Sequence, residues 1–470
     1  MKKSLRITLG VVATTALAAG LATVIHGPAS SAEPAARPNA CQAPTGPIGQ
    51  PGTSGPAVPT TVTTIGQAYN CILDNYYRGP ILDDRSLLVP AFAALTQELQ
   101  RRGLDTAQAT MPALTGKRDA DWTRFRRAYD KIVAKLPDDI VRQAVAGATL
   151  QGMVSALDDN HAKWTRGQQR NLLGLKFSGL RPDGPDPAIT SPVFVTSIAP
   201  GSAAAGSGIK PGDEVISVNG VPLILNGTVT YGVVAWLTAP TPGQSLEFTL
   251  RRPATGKTFT ATVTPVDYPQ QAPKVGVQLL SGDIAKLTIP GFYTGVADEA
   301  LAAIAELRKT TTLRGLILDL RGNGGGVGAE LARLLGAFVH DKTVSYWCDV
   351  RDHCTANKAD VTVPLLNLPL AVLTDRTCAS ACDSFAGTVK DLHLGTLIGT
   401  RTAGLVSGPT LPYLLDDGSQ LALPSQREVG ANHEIIDTIG VAPDHLAPMT
   451  SADLSAGRDP AVAKALSLLK

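Results

Sequence analysis

The sequence is short of aromatic residues, at 5% of the chain, and short of charge, at 17%. Its formal net charge of +2 over 470 residues gives no electrostatic case for nucleic acid, which needs a strongly basic face. The six cysteines never fall as Cys-x-x-Cys and no His-x-x-x-His occurs, so no metal site is expected. There is no Gly-x-x-x-x-Gly-Lys-Ser/Thr loop to cradle a nucleotide phosphate. Gly324-x-Gly326-x-x-Ala329 is a lone match to a dinucleotide fingerprint, too weak to imply a cofactor. No cofactor is therefore expected.

What is present is ordinary globular material with many turns, 44% hydrophobic with 46 glycines and 34 prolines. The chain is long enough for several domains. Lys2, Lys3 and Arg6, an apolar run from Ile7 to Ile25 and then Pro28-Ala29-Ser30-Ser31-Ala32 have the order of a secretory signal peptide. Residues 1–32 are read as that signal, giving a secreted or envelope-associated protein with no membrane span after cleavage; an uncleaved anchor is the alternative. In an exported chain the six cysteines should pair. Local pairs are favoured: Cys41 with Cys71, Cys348 with Cys354, and Cys378 with Cys382, the last being closest to strain inside a regular helix.

Residues 33–61 are rich in Pro, Gly, Ala, Ser and Thr and read as a flexible linker. Residues 62–168 carry helical spacing, over Leu87 to Arg101 and over Ile140 to Leu157, and read as a helical N-terminal domain. Residues 172–268 hold short β-rich runs between Gly/Pro turns, such as Glu214 to Val218 and Leu246 to Leu250, and read as all-β with little helix. From 274 to 450 strands alternate with helices: Gly315 to Leu320, Ala329 to Val339, Leu368 to Thr374, Ala381 to Leu392. That is an α/β core. Residues 451–470 end in a short helix with Asp459 as its cap and Pro460 in its first turn. The expected class is multi-domain α+β.

The segment Ala199-Pro-Gly-Ser-Ala-Ala-Ala-Gly-Ser-Gly-Ile-Lys-Pro-Gly-Asp-Glu-Val-Ile-Ser-Val-Asn-Gly220 resembles the core of a PDZ domain. The resemblance implies an extended peptide added as a strand, with its terminal carboxylate held by backbone N–H groups. Leu173, Gly174 and Leu175 would form that carboxylate loop, and free C-terminal tails would be the partners.

Thr377-Cys378-Ala379-Ser380-Ala381-Cys382-Asp383 lies between a strand and a helix. A serine there stands at the positive end of a helix dipole, beside first-turn amides without helical partners. On local grounds alone Ser380 is equally an N-cap with an acidic N3 partner. Leu318-Asp-Leu-Arg-Gly-Asn-Gly-Gly-Gly326 upstream, and Leu397-Ile-Gly-Thr-Arg-Thr-Ala-Gly404 and Gly440-Val-Ala-Pro-Asp444 downstream, resemble in the same order the motifs of the carboxyl-terminal processing (tail-specific) serine peptidases. The resemblance covers residues 140 to 470 and implies a ClpP/crotonase-like core. By it, Ser380 is the nucleophile and the amides of Gly324 or Gly325 and of Ala381 form the oxyanion hole.

The sequence departs from that family at one position. Bacterial members pair the serine with a lysine in Thr-Phe-Gly-Lys, where this chain has Thr402-Ala403-Gly404-Leu405. Leucine cannot accept a proton. Lys390, along the helix that Ser380 starts, points away. The branch resembling the tricorn core protease and the retinoid-binding protein repeats uses histidine, in an Asp-x-His element matched here by Asp159-Asn160-His161. The same branch places an acid, more often Glu, where this chain has Asp437. The implied triad is Ser380, His161 and Asp437. His433, beside Asp437 in sequence, is the best rival base; His393 and His445 are others. Arg321, Asp319 and Asn323 are expected to shape the glycine loop. The implied function is a serine endopeptidase acting on protein or peptide substrates. The alternative is a non-catalytic peptide- or ligand-binding protein on the same scaffold. Nothing in the sequence sets the oligomeric state.

Overall fold

The computed structural model describes residues 58–166, 171–181, 184–185, 189–269 and 271–470. The expected signal, most of the expected linker and Cys41 lie outside these. Among the described residues no helix is long and apolar enough to cross a membrane.

The helical region holds α1 (Val62–Asn75), α2 (Arg85–Arg101), α3 (Arg118–Val133) and α4 (Asp139–Ser155). Local chemistry sets their starts. Thr61 accepts the N–H groups of Thr63 and Thr64 ahead of α1, and the Asp138 carboxylate accepts Val141 N–H at 2.8 Å ahead of α4, each satisfying an orphan donor of the first turn. Helices α2 and α4 approach closely because Gly152 faces Ala94, where a Cβ would stand 2.4 Å away. Ile65, Leu88, Leu95, Phe125 and Leu150 fill the core between the helices. That core also takes Tyr413, Leu415, Leu421 and Leu423 from the hairpin of Thr410–Leu414 and Gln420–Pro424, far along the chain.

The helical spacing stops short of the boundary drawn from sequence at 168. Lys163–Thr165 is a strand pairing antiparallel with Gln420–Pro424. Its three residues are too few for a period to show, and the partner that makes it a strand lies far along the chain.

The β-rich region is built around a four-stranded sheet in the order Lys257–Val263, Leu246–Arg252, Glu214–Val218, Val221–Pro222. Leu175–Phe177 pairs with Val195–Ile198 beside it, and α5 (Tyr231–Thr238) closes the core through Val233, Val234 and Leu237.

The α/β core is a six-stranded sheet in the order Gly276–Leu280, Ile284–Thr288, Gly315–Asp319, Leu370–Thr374, Thr396–Gly399, His445–Leu446. Only the first pair is antiparallel. Gly315–Asp319 and Leu370–Thr374 are buried at every position, as central parallel strands covered on both faces must be. One face packs on α6 (Val296–Arg308), α7 (Gly328–Gly336) and α8 (Ala381–Asp391). The other packs on α10 (Pro460–Leu468) through Ala461 and Ala465. Asp459 caps α10 by accepting Val462 N–H. The short α9 (Ser451–Ser455) meets the β-rich region, with Ser451 donating to Glu214 at 2.6 Å and Ser455 Oγ accepting Ala254 N–H. The architecture bears out the expected fold class.

Candidate active site

Ser380 lies where Leu370–Thr374 hands over to α8. Its backbone sits at φ 58°, ψ −121°, a region costly for any residue with a Cβ and maintained only where surroundings enforce it. The enforcement is visible. Ser380 N–H donates to Leu405 carbonyl at 2.7 Å and to Asp383 Oδ2 at 3.0 Å. Asp383 is fully buried and also accepts Gly404 N–H at 2.9 Å and Leu405 N–H at 3.0 Å. Burial pushes the Asp383 carboxyl above its usual range, against the pull of Thr402 and these amides. Cys378 and Cys382 form a disulfide across the turn, with Cα atoms 5.2 Å apart. Cys378 precedes the helix, so the bridge spans the turn and only Cys382 is helical. Cys348–Cys354 is also bonded. Cys71 is disulfide-bonded, and its expected partner Cys41 lies outside the described residues.

The glycine loop follows Gly315–Asp319. Asn323, fully buried, ties it down: Nδ2 donates to Ile289 carbonyl at 3.0 Å and the Asn323 carbonyl accepts Ala379 N–H at 3.1 Å. Gly325 has φ 93°, and a Cβ there would stand 2.6 Å from that of Ser380, so only glycine lets the two loops touch. The Gly325 amide, a candidate oxyanion donor from sequence, is already donated to Asn323 Oδ1 at 2.8 Å. Of the two amides offered by the sequence this leaves Gly324 as the donor, while Gly325 supplies closeness. Among the described residues the amides of Gly324 and Ala381 have no hydrogen-bond partner, and Ala381 is the first residue of α8. Arg321 bridges Asp319 and Asp459, and Lys286 joins Asp319 at 3.2 Å, fixing the base of the loop.

His161 arrives on the segment after α4, following Asp158 in the left-handed region at φ 47°. Its Nε2 lies 3.3 Å from Ser380 Oγ. Its Nδ1 meets Asn160 Oδ1, and Asn160 Nδ2 donates to Asp437 Oδ1 at 2.8 Å. Val406 N–H reaches the same oxygen at 3.2 Å. Asp437 therefore makes no direct hydrogen bond with His161; Asn160, not singled out from sequence, stands between them. A carboxylate can only accept, so it takes the Asn160 NH2 and turns Oδ1 toward the ring. Asn160 Oδ1 then accepts the Nδ1 proton, leaving the Nε2 lone pair toward the hydroxyl. Burial lowers the proton affinity of His161, opposed by Asp159 and Asp437 and reinforced by Lys163, so the ring is neutral at neutral pH.

The rival bases lie elsewhere. His433 stacks on Tyr346 with ring centres 4.2 Å apart. His393 follows α8, and His445 is in the last sheet strand. Lys390 is held by Ala442 carbonyl and Asp444. A cavity of about 170 Å³ is lined by Tyr77, Asp159, Val406, Glu428 and Asp437 among others. A shallower depression of about 620 Å³ at 444–448, 453, 460 and 464 holds the rival His445 but none of Ser380, His161 and Asp437.

In the β-rich region, Leu173 and Leu175 are buried. Gly174, at φ 72°, donates its N–H to Asn171 Oδ1 at 3.0 Å, so that amide of the expected carboxylate loop is engaged. The free edge of Leu175–Phe177 carries no strand among the described residues.

Residues 283–447 match the model of peptidase family S41, and residues 163–225 match that of the PDZ domain. His161 falls outside both, just ahead of the second. The chain is 24% identical over 345 residues to the carboxy-terminal processing protease CtpB of Bacillus subtilis, covering 72% of this chain and 69% of that protein. It is 26% identical over 342 residues to a carboxyl-terminal-processing protease of Picosynechococcus, covering 70% and 78%. Among solved structures, the photosystem II D1 C-terminal processing protease superposes with a TM-score of 0.50 at 22% identity, covering 84% of this chain and 94% of that one. Mature CPAF complexed with lactacystin superposes with a TM-score of 0.52 at 15% identity, covering 87% and 97%. At these identities the superpositions establish a common fold.

Proposed function

We propose, from the match of residues 283–447 to peptidase family S41 and of residues 163–225 to the PDZ domain, that the chain is a secreted serine endopeptidase that processes proteins from their C-terminal tails with a Ser380–His161–Asp437 triad. The observation that carries this reading is the 3.3 Å approach of His161 Nε2 to Ser380 Oγ, a separation that tightens when substrate binds. The neutral ring takes the hydroxyl proton as Oγ attacks the scissile carbonyl carbon. The oxyanion forms between the amides of Gly324 and Ala381, with the dipole of α8 behind it. His161 then passes the proton to the leaving amine, and the acyl-enzyme ester is hydrolysed by water activated on the same ring. Asp437 acts through the Asn160 amide, fixing the ring and its tautomer and offsetting the imidazolium charge that forms.

Tail recognition rests on the edge of Leu175–Phe177, which pairs with no further strand among the described residues, and on the loop at Leu173 to Leu175, where a peptide strand and its carboxylate would dock by displacing the Asn171 side chain from Leu175 carbonyl and Gly174 N–H. Export rests on the basic start and apolar run of the N-terminus and on the disulfides, which persist in oxidising compartments.

The test is hydrolysis of unstructured proteins with apolar tails. Wild type should cleave; Ser380→Ala and His161→Ala should lose nearly all activity, and Asp437→Ala much of it. Activity surviving in His161→Ala removes it as the base. Wild type that binds tails yet cleaves nothing returns the binding-protein alternative. Fractionation of expressing cells tests export.

A further inference from the structure

The base is held by its backbone as well as by its ring. Asp159 Oδ1 accepts the N–H of His161 at 2.8 Å and that of Ala162 at 3.2 Å, a local side-chain turn that sets the direction in which the chain leaves α4. The other oxygen of Asp159 accepts the Tyr76 hydroxyl at 2.9 Å. Tyr76 ends α1 and is 2% exposed, with its ring edge-on to Tyr77 at 4.8 Å. Burial and the Asp159 charge push the Tyr76 hydroxyl far up, so it stays protonated and remains a donor. A single carboxylate thus joins three things: the end of the first helix, the backbone at His161 and the turn that follows it.

We propose that Asp159 is a positioning residue for His161, locked in place by Tyr76, and that the helical region is thereby part of the catalytic apparatus. This rests on the reading of His161 as the base. The charges facing the ring are Asp159 and Lys163 from its own segment and Asp437 from across the site. Of the two carboxylates, Asp159 supports the protonated ring more than Asp437 does, and Asn160 stands between Asp437 and the ring. Removing the Asp159 charge lowers the proton affinity of His161. Removing only the Tyr76 donor leaves that charge less neutralised and raises it. The two changes therefore displace the base in opposite directions while both loosen its placement.

The experiment uses the full chain and needs no knowledge of the natural substrate. Covalent labelling of Ser380 by an alkyl fluorophosphonate is followed against pH for wild type, Asp159→Asn, Tyr76→Phe and His161→Ala, with kcat and KM for casein and the thermal midpoint of each. Asp159→Asn is expected to slow labelling by about 10- to 100-fold, the scale of a misplaced catalytic group, with the casein loss in kcat and not in KM, and to move the acid limb to lower pH. Tyr76→Phe is expected to slow labelling by a smaller factor and to move the limb to higher pH. Limbs that stay at the wild-type position in both variants overturn the proposal, whatever happens to rate or thermal midpoint, because a merely structural role does not move them. If Asp159→Asn fails to fold, Tyr76→Phe decides alone, and wild-type rate and limb there overturn the proposal. If His161→Ala labels at the wild-type rate, the base assignment itself fails; an inactive His161→Ala beside unmoved limbs overturns the Asp159 proposal only.

Discussion

The two halves of the candidate dyad are built differently. The serine side is made within the sheet-and-helix core, in the segment matched by the peptidase model. Its loop is held by a disulfide, by the buried Asp383 with three backbone amides, and by Asn323 bridging to the glycine loop. The histidine side comes from the other end of the chain, after α4, and is held by a few polar contacts: Asp159 beneath it, and Asn160 reaching Asp437. A strained nucleophile needs an over-determined frame. A base that accepts and returns a proton needs orientation and a tuned proton affinity, which a small polar network provides.

The largest expected effect removes the serine hydroxyl. Ser380→Ala should lower kcat/KM by about 10³-fold or more, since the remaining donors alone retain little of the rate, while the dissociation constant for a tail peptide stays at the wild-type value. Calorimetric titration beside casein hydrolysis separates the two; weakened binding in this variant would mean that the hydroxyl positions ligand rather than attacks it. Breaking the frame comes next. Asp383→Ala leaves the amides of Gly404 and Leu405 without their acceptor inside the protein, at about 1–3 kcal/mol for each buried group left unpaired. Chemical denaturation should show a loss of several kcal/mol, and an unchanged midpoint would show that the frame does not depend on this carboxylate.

On the histidine side, effects should fall on rate before stability. Asn160→Ala cuts the path between His161 and Asp437, so it should lower kcat about as much as Asp437→Ala does, and the double variant should be no worse than either single one, as expected for groups acting as a unit. Additive losses would mean that Asp437 acts independently of Asn160. Because burial lowers the proton affinity of His161, the acid limb of kcat/KM should lie below the ordinary imidazole value of 6.5, and a limb above it would contradict the buried environment.

The same contrast explains what could be read in advance. Strands such as Gly315–Asp319 and helices such as α8 were legible because their apolar runs and spacing are local. Ser380 was legible because its turn, glycine loop and downstream motifs occur in order. The link from Asp437 to His161 was not, because it passes through Asn160, a short polar side chain whose partner lies 277 residues away. The Glu more usual in the branch that the sequence resembles is one methylene longer, and that difference was the one available hint that something had to span a gap. The choice between the Gly324 and Gly325 amides was not legible, because it depends on the side chain of Asn323 folding back to accept Gly325 N–H two residues on. The strand Lys163–Thr165 was invisible because it is only three residues long.

The smallest expected effect separates the tethers of the two sides. The segment bearing Asp437 is fastened to the far end of α8, where Asp391 accepts Ala431 N–H at 3.2 Å and lies against Glu434, which accepts Asn432 N–H at 3.1 Å. Burial, together with the hydrogen bond and charge of Glu434, pushes the Asp391 carboxyl up to about 7, so Asp391 keeps its proton to near neutrality. A carboxyl whose proton affinity is higher folded than unfolded stabilises the fold fully below its unfolded value of 3.8, and that contribution is lost as pH rises through about 7. The tether of the histidine side should thus loosen as the solution turns alkaline. The serine side has a raised buried carboxyl of its own in Asp383, but it also keeps a covalent brace, the Cys378–Cys382 disulfide, that does not depend on protonation. Asp391→Asn keeps an acceptor for Ala431 and removes the repulsion. Its stability should decline less than that of wild type as pH rises through neutrality, by about 1 kcal/mol once solvent screening of this partly exposed pair is allowed for. Urea midpoints measured on either side of that pH check it: parallel curves for the two proteins would mean that the proton on Asp391 does not stabilise this tether.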